Sequence, residues 1–417
     1  MSTLQTELNN EKRNRGIVTF QNAKTEPLHR WFPYLEGFGE DFIDSIVQSD
    51  EGSKTWIYEP FGGSGTVPVY ALKNGMNCSY HEVNPFMAKV TQIKLEALKS
   101  IQLNRKTLIK DCLEIKRKYS SDILKHVPNE KLRRNYEKVF SPSKYFEDEN
   151  FELVLKSKSF LETLQRNDTN ELPIRLLWLA MTESLLHSSL LKRAGDIRYR
   201  KGKELDNIPR FNERVEAAFI DIIEDLKDLD GIKVESATVY SPNAKGELKI
   251  TEFADTIITS PPYLNGTNYI RNTKLELWFD CVLETKKDLS HYRSEVVTAG
   301  INDVIKTKKE FVFKPLEELF QLNTEWYDRR IPKMINDYFY DMKKVLINCH
   351  LALKKGKALY LDIGDSIYGG NYIPTHTLLT LLAEEVGFYH EETVTLRKRK
   401  SKKGGELSQV LIKLVKE

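Results

Sequence analysis

The sequence predicts an α/β protein with a mostly parallel, doubly wound sheet. Two observations carry that expectation. The segment "KTWIYEPFGGSGTVPVYALKNGMNCSYHEV" reads as strand, glycine loop, helix, strand and acidic end. That order is a βαβ unit, whose two strands lie parallel in one sheet. Strand signals return after residue 230, and "GFYHEETVTLRKR" with "GELSQVLIKLVKE" reads as a closing antiparallel hairpin. A length of 417 residues suits one large domain with insertions, or two domains.

The elements follow in order. Residues 1–24 form a polar arm without the apolar core of a signal peptide. "EPLHRWFPYLEGFGEDFIDSIVQ" is aromatic and then helical, with Phe42, Ile43, Ile46 and Val47 at helical spacing. The βαβ unit completes a first half, residues 1–98. Residues 99–230 are charged and helix-patterned and read as a large helical insertion. Their strongest helix is "PIRLLWLAMTESLLHSSLLKRAG", with Pro173 in its first turn and Gly195 at its end. The second half, residues 231–417, holds the strands "GIKVESATVY", "FADTIIT" and "KALYLDIGDS", the helix "NDYFYDMKKVLINCHLALKKG" and an irregular insertion near 281–330.

Composition removes several function classes. Lys and Arg total 63 against 60 Asp and Glu, so only the distribution of charge can mark a nucleic-acid surface. Cys78, Cys112, Cys281 and Cys349 are scattered and form no CxxC pair. Reduced thiols in a cytoplasmic chain are expected, without disulfides or a metal site. No apolar run approaches the roughly 18 residues of a membrane span, so no membrane partner is expected.

Two short stretches carry chemistry. In "EPFGGSGTVP", Gly62, Gly63 and Gly65 permit a tight turn and close backbone approach to a ligand. Glu82 ends the next strand, about 20 residues on, where an acid meets ribose hydroxyls. The loop lacks the Gly-Lys-Ser/Thr ending of a phosphate loop, and Pro68 stands where GxGxxG needs its third glycine. A plain tight turn remains the competing reading. The second stretch is Ser260-Pro261-Pro262-Tyr263, which ends the strand "TIIT". Two prolines make a stiff corner with free carbonyls. A carbonyl beside a serine hydroxyl offers two acceptors to an amino group, and Tyr263 offers a face on which a base can stack. Alone, this corner reads as a strand terminator with a core tyrosine.

Together, "EPFGGSGT", Glu82 and "TSPPY" resemble the S-adenosylmethionine-dependent DNA amino-methyltransferases. "GTNYIRNTKLELWF" and "LDIGDS" fit the same family, and the resemblance covers about 1–98, 231–280 and 335–417. It implies a Rossmann-like methyltransferase fold in which Glu59, Pro60, Phe61, Gly62, Gly63, Ser64, Gly65 and Thr66 bind S-adenosylmethionine with Glu82. "PLHRWFPYLEGF", with His29, Trp31 and Tyr34, is similar to the family's segment over the methionine part of the cofactor. Asn243 stands where such enzymes often carry an aspartate near adenine. The cofactor loop precedes the catalytic corner, which is the unpermuted order. Ser260, Pro261, Pro262 and Tyr263 would hold the target amine, and Ser-Pro-Pro-Tyr is the form most associated with N4 of cytosine.

The resemblance thus implies direct methyl transfer to that amine without a metal, in double-stranded DNA, with a cognate restriction endonuclease or other defence system as further partner. None of the cysteines has the Pro-Cys setting of carbon-5 methylation. Asp365, Asn268 and Tyr269 are further pocket candidates, each balanced by a structural role. Phosphate contacts are expected from Lys192, Arg193, Arg198, Arg200, Lys201 and Lys203, and from Arg397, Lys398, Arg399, Lys400, Lys402 and Lys403, the latter in a hairpin loop. The alternatives are N6-adenine methylation, RNA base methylation, and an inactive DNA-binding protein of the same fold.

Overall fold

The computed structural model describes residues 25–33, 37–49, 55–167, 171–194, 196–231, 236–264, 269–304, 311–323, 325–368, 370–400 and 405–417. The N-terminal arm, Tyr34, Gly195, Asn268, Lys402 and Lys403 lie outside the described residues.

The strands are β1 (Trp56–Glu59), β2 (Asn77–His81), β3 (Leu191–Ala194), β4 (Asp196–Tyr199), β5 (Thr238–Ser241), β6 (Ala254–Thr259), β7 (Leu353–Gly364), β8 (Ser366–Tyr368), β9 (Asn371–Ile373), β10 (Phe388–Lys400) and β11 (Glu406–Lys416). Seven of them form one sheet in the order β10-β11-β7-β6-β1-β2-β5. β1 pairs parallel with β2 and β6, β2 with β5, and β6 with β7. β11 runs antiparallel to β7 and to β10. This is a Rossmann-like sheet with an antiparallel closing hairpin. β6 is buried at every residue, as a central parallel strand covered on both faces must be.

The chain winds from β1 outward to β2 and β5, then crosses back to β6 on the other side of β1. The carboxyl ends of β1 and β6 therefore flank the switch point where open sheets hold ligands.

The helix Pro85–Asp122 begins under an Asn84 cap, whose side chain accepts from the Phe86 N–H at 3.1 Å, with Pro85 in the first turn. It is interrupted at Asn104, whose φ of −157° is not helical. The change of character at residue 99 thus falls inside a helix rather than at a linker. Helices Glu130–Phe140, Asp148–Asn167, Glu171–His187 and Phe211–Asp228 complete the insertion. One apolar core runs without a break from Ile57 on β1 to Leu177, Phe219 and Ile223 in the insertion. A second core, on the other sheet face, lies under helices Ile331–Ala352 and Thr375–Val386.

One expected element is corrected. The helix predicted from Pro173 to Gly195 ends at His187, and β3 and β4 follow as a hairpin. The Ser188 N–H closes the last turn on the Ser184 carbonyl at 3.0 Å. The Ser189 hydroxyl then accepts from the Leu191 N–H at 3.0 Å. A serine that bonds nearby backbone competes with helix continuation, and here it wins.

Candidate active site

The glycine loop connects β1 to helix Thr66–Lys73. Gly63 and Gly65 hold φ values of 50° and 89°, the left-handed region that glycine enters without penalty. Gly65 has a second constraint, since a Cβ there would lie 2.7 Å from Thr91 Cγ2. Gly62 donates to the His81 carbonyl at 2.7 Å, which ties the loop to the end of β2. Beneath the loop, Thr91 Oγ1 donates to the Gly63 carbonyl at 3.2 Å and Lys94 Nζ to the Ser64 carbonyl at 2.8 Å. Lys94 is fully buried, and burial lowers its pKa to about 7. The N–H groups of Ser64, Thr66 and Val67 find no acceptor among the described residues, leaving the loop with donors to offer a ligand.

Of the site's two acids, Glu59 is buried and Glu82 is half-buried. Glu82 accepts from the Gly63 N–H at 2.8 Å and the Asn84 N–H at 2.7 Å. Burial pushes it up to about 7 against those two bonds. Each oxygen keeps a lone pair free for a hydroxyl donor. Glu59 accepts from the Phe61 N–H at 2.8 Å and from the Thr259 hydroxyl. Burial pushes it up to about 8.

The Thr259 bond joins the two halves of the site. Thr259 is the last residue of β6, so Ser260 starts its corner beside the end of β1. Ser260 is half-buried, and its hydroxyl has no partner among the described residues. Pro261 is buried, while Pro262 and Tyr263 are half-buried. The Tyr263 hydroxyl donates to Asp362 Oδ1 at 3.0 Å. Gln409 Nε2 donates to the same hydroxyl at 3.0 Å and to both Asp362 oxygens at 2.9 and 3.1 Å. Sequence reasoning missed Asp362 and Gln409. Asp362 lay unexamined inside "YLDIGD", and Gln409 carries no motif at all.

Other expected residues sit nearby with bonds of their own. His29 is buried and pairs with Glu40 at 2.8 Å. Trp31 is buried and donates to Asp225 at 2.7 Å, and Arg30 grips the same carboxylate. Both therefore fasten the aromatic segment to its neighbours. Asn243 follows β5, where its amide donates to Glu295 at 2.7 Å and accepts from the Lys245 N–H at 2.9 Å. Asp365 is buried, pairs with His376 at 2.7 Å and accepts from the Tyr372 hydroxyl at 2.6 Å.

The basic clusters divide. Arg193 bonds the carbonyls of Pro33 and Asn272 at 3.3 and 3.4 Å. Arg200 bonds the carbonyls of Ser189 and Leu191 at 3.0 Å, holding the β3–β4 turn. Lys192 and Arg198 share Glu204, at 3.0 and 2.8 Å. Lys201 and Lys203 are exposed. Arg397, Lys398, Arg399 and Lys400 lie within β10 rather than in a loop, and all four are exposed. Lys398 pairs with Glu406 at 2.9 Å. Arg397 stands opposite Gln409 in the hairpin register, at the lip of the Tyr263 corner.

No family model matches the chain. Relatives do. The type II methyltransferase M.AvaI of Nostoc sp. is 25% identical, over 93% of this chain and 84% of that protein. M.BsoBI of Geobacillus stearothermophilus is 23% identical, over 95% and 85% respectively. The chain is similar to type II methyltransferases along most of its length. M.MvaI of Kocuria varians, at 21% over 90% of this chain and 86% of that protein, extends the similarity. The glycine loop and the Ser-Pro-Pro-Tyr corner stand side by side at the carboxyl ends of β1 and β6. Burial raises the pKa of all four thiols, the half-buried Cys281 included, which disfavours the thiolate that carbon-5 chemistry needs. Cys78, Cys112 and Cys349 are buried, and burial pushes the Cys112 thiol up to about 12.

Proposed function

We propose that the protein is a site-specific DNA methyltransferase that moves a methyl group from S-adenosylmethionine to the N4 amino group of cytosine. The observation that carries this reading is the Thr259–Glu59 bond at the switch point, which sets the glycine loop and the Ser260 corner against each other. Similarity to type II methyltransferases supports the same reading.

The loop residues fit the cofactor. The free N–H groups of Ser64, Thr66 and Val67, the left-handed Gly63 and Gly65, and the half-buried Glu82 are what a nucleoside with hydroxyls and an amino-acid tail requires. Bound there, S-adenosylmethionine supplies an electrophilic methyl on a sulfonium. The chain's own residues do the rest. Ser260 Oγ and the Pro261 carbonyl would accept hydrogen bonds from the amine, drawing its lone pair out of conjugation and towards the methyl. The N–C bond forms as the C–S bond breaks, leaving a neutral thioether, and the surplus amine proton leaves to water. Tyr263 stacks on the base after it leaves the duplex, since a stacked base cannot present its amine in line. Positioning the two reactants together contributes several kcal/mol, up to about 7–11 in favourable systems. Arg397 and Arg399 grip backbone phosphate beside the corner, and a restriction endonuclease is the matching partner.

The test is expression in a host lacking DNA methylation, followed by genome sequencing with modification detection. N4-methylcytosine at one short recurring sequence is expected. N6-methyladenine alone would replace the cytosine reading with the adenine one, and an unmodified genome would overturn DNA methylation.

A further inference from the structure

We propose that Gln409 and Asp362 are positioning residues that fix the Tyr263 ring for stacking on the extruded base. The inference rests on the DNA methyltransferase reading above and assigns two residues that the motifs do not contain.

The geometry is a closed triangle. Tyr263 donates to Asp362 Oδ1 at 3.0 Å, and Gln409 Nε2 donates to the Tyr263 oxygen at 3.0 Å and to Asp362 at 2.9 Å. The phenol oxygen is thus held from two sides. The ring edge is held from a third, because a Cβ at Gly364 would lie 3.1 Å from Tyr263 Cε2. The supports come from two rigid strands. Asp362 and Gly364 lie on β7, and Gln409 lies on β11 opposite Gly364 in the antiparallel register. Thr259 pairs with Leu361, so the register carried one residue on sets Ser260 beside Asp362. A ring with its hydroxyl pinned loses little freedom when a base arrives, which is how preorganisation raises turnover without adding a contact.

The triangle is tightest with Asp362 ionised, because then both of its oxygens accept: Oδ1 from Tyr263 and Gln409, and Oδ2 from Gln409. Burial pushes its pKa up to about 6, opposed by Gln409, Tyr263 and the Arg397 charge. Tyr263 and Arg397 are the titratable or charged groups facing it among the described residues. Protonation on Oδ2 turns that acceptor into a donor facing the Gln409 amide and loosens the clamp as pH falls.

The experiment uses the full-length protein and a duplex carrying its mapped target sequence, with 2-aminopurine at the target base for the fluorescence arm. Gln409→Ala is expected to lower kcat about tenfold or more with S-adenosylmethionine affinity unchanged within about twofold. The extruded 2-aminopurine should brighten, because a free ring no longer quenches it. Gln409→Glu keeps the shape and places a second carboxyl beside Asp362, so one shared proton restores the clamp. Its kcat should rise as pH falls through about 6–7, where the wild-type kcat falls. A Gln409→Ala protein with wild-type kcat and fluorescence, or a Gln409→Glu protein with the wild-type pH profile, overturns the clamp while DNA methylation stands. A wild-type protein that methylates no DNA removes the functional reading and this inference with it.

Discussion

In the proposed reaction, Ser260 is the side chain that meets the target amine. Its hydroxyl is unpartnered among the described residues and sits beside the end of β1, so removing it costs no internal bond. Ser260→Ala should therefore leave stability and S-adenosylmethionine binding intact and lower kcat by roughly tenfold, the worth of one hydrogen bond to the amine. Single-turnover kinetics with parallel calorimetry reads both. The glycines make a sharper pair. Gly65 combines a φ of 89° with a would-be Cβ 2.7 Å from Thr91, whereas the nearest atom to a Cβ at Gly63 is 3.9 Å away. Gly65→Ala should weaken S-adenosylmethionine binding by at least about tenfold, and Gly63→Ala by less, since it meets only the left-handed penalty of about 1–2 kcal/mol. Equal affinities in calorimetry would place the ligand elsewhere.

At the scale of elements, the two basic segments differ in what their charges already do. The β3–β4 hairpin spends Arg193 and Arg200 on backbone carbonyls, and Glu204 neutralises Lys192 and Arg198. The β10–β11 hairpin extends past the sheet with Arg397 and Arg399 exposed. Arg397→Ala and Arg399→Ala should each reduce the slope of log affinity against log salt by about 1, measured by DNA binding across salt concentrations. Arg200→Ala should instead lower Tm and leave that slope unchanged. A reversed pattern would move the DNA to the insertion.

At the scale of the whole molecule, the site exists because the sheet reverses its winding at β1 and β6, and buried acids are part of that joint. Glu59 has an ordinary value of 4.5 and about 8 in the fold, because burial disfavours its charge. Its contribution to stability is fully present below its unfolded value and is lost as pH rises through about 8. Glu82 and Glu276, both raised to about 7 by burial, act with the same sign, while Lys94, lowered to about 7, acts oppositely above that pH. Tm should fall as pH rises from about 5 to about 8, and Glu59→Gln should flatten part of that decline. An unchanged slope in the variant would show that Glu59 is not held protonated.

The sequence by itself determined the βαβ unit, the closing hairpin, the glycine loop and the proline corner. Each is written in local chemistry: left-handed φ at Gly63 and Gly65, missing N–H groups at Pro261 and Pro262, and alternation over a few residues. It misjudged the end of the helix at His187, where Ser188 and Ser189 bond nearby backbone, and it took Arg193 and Arg200 for free charges. It was silent on Asp362 and Gln409. The helix end turned on short-range serine bonds that compete with the helical pattern, whereas only the tertiary structure decided the roles of Arg193, Asp362 and Gln409, because each depends on a partner distant in sequence. Gln409 and Tyr263 are 146 residues apart, and Thr259 and Glu59 are 200 apart. Pattern along the chain reports what a residue can do, and only the register of neighbouring strands reports what stands beside it.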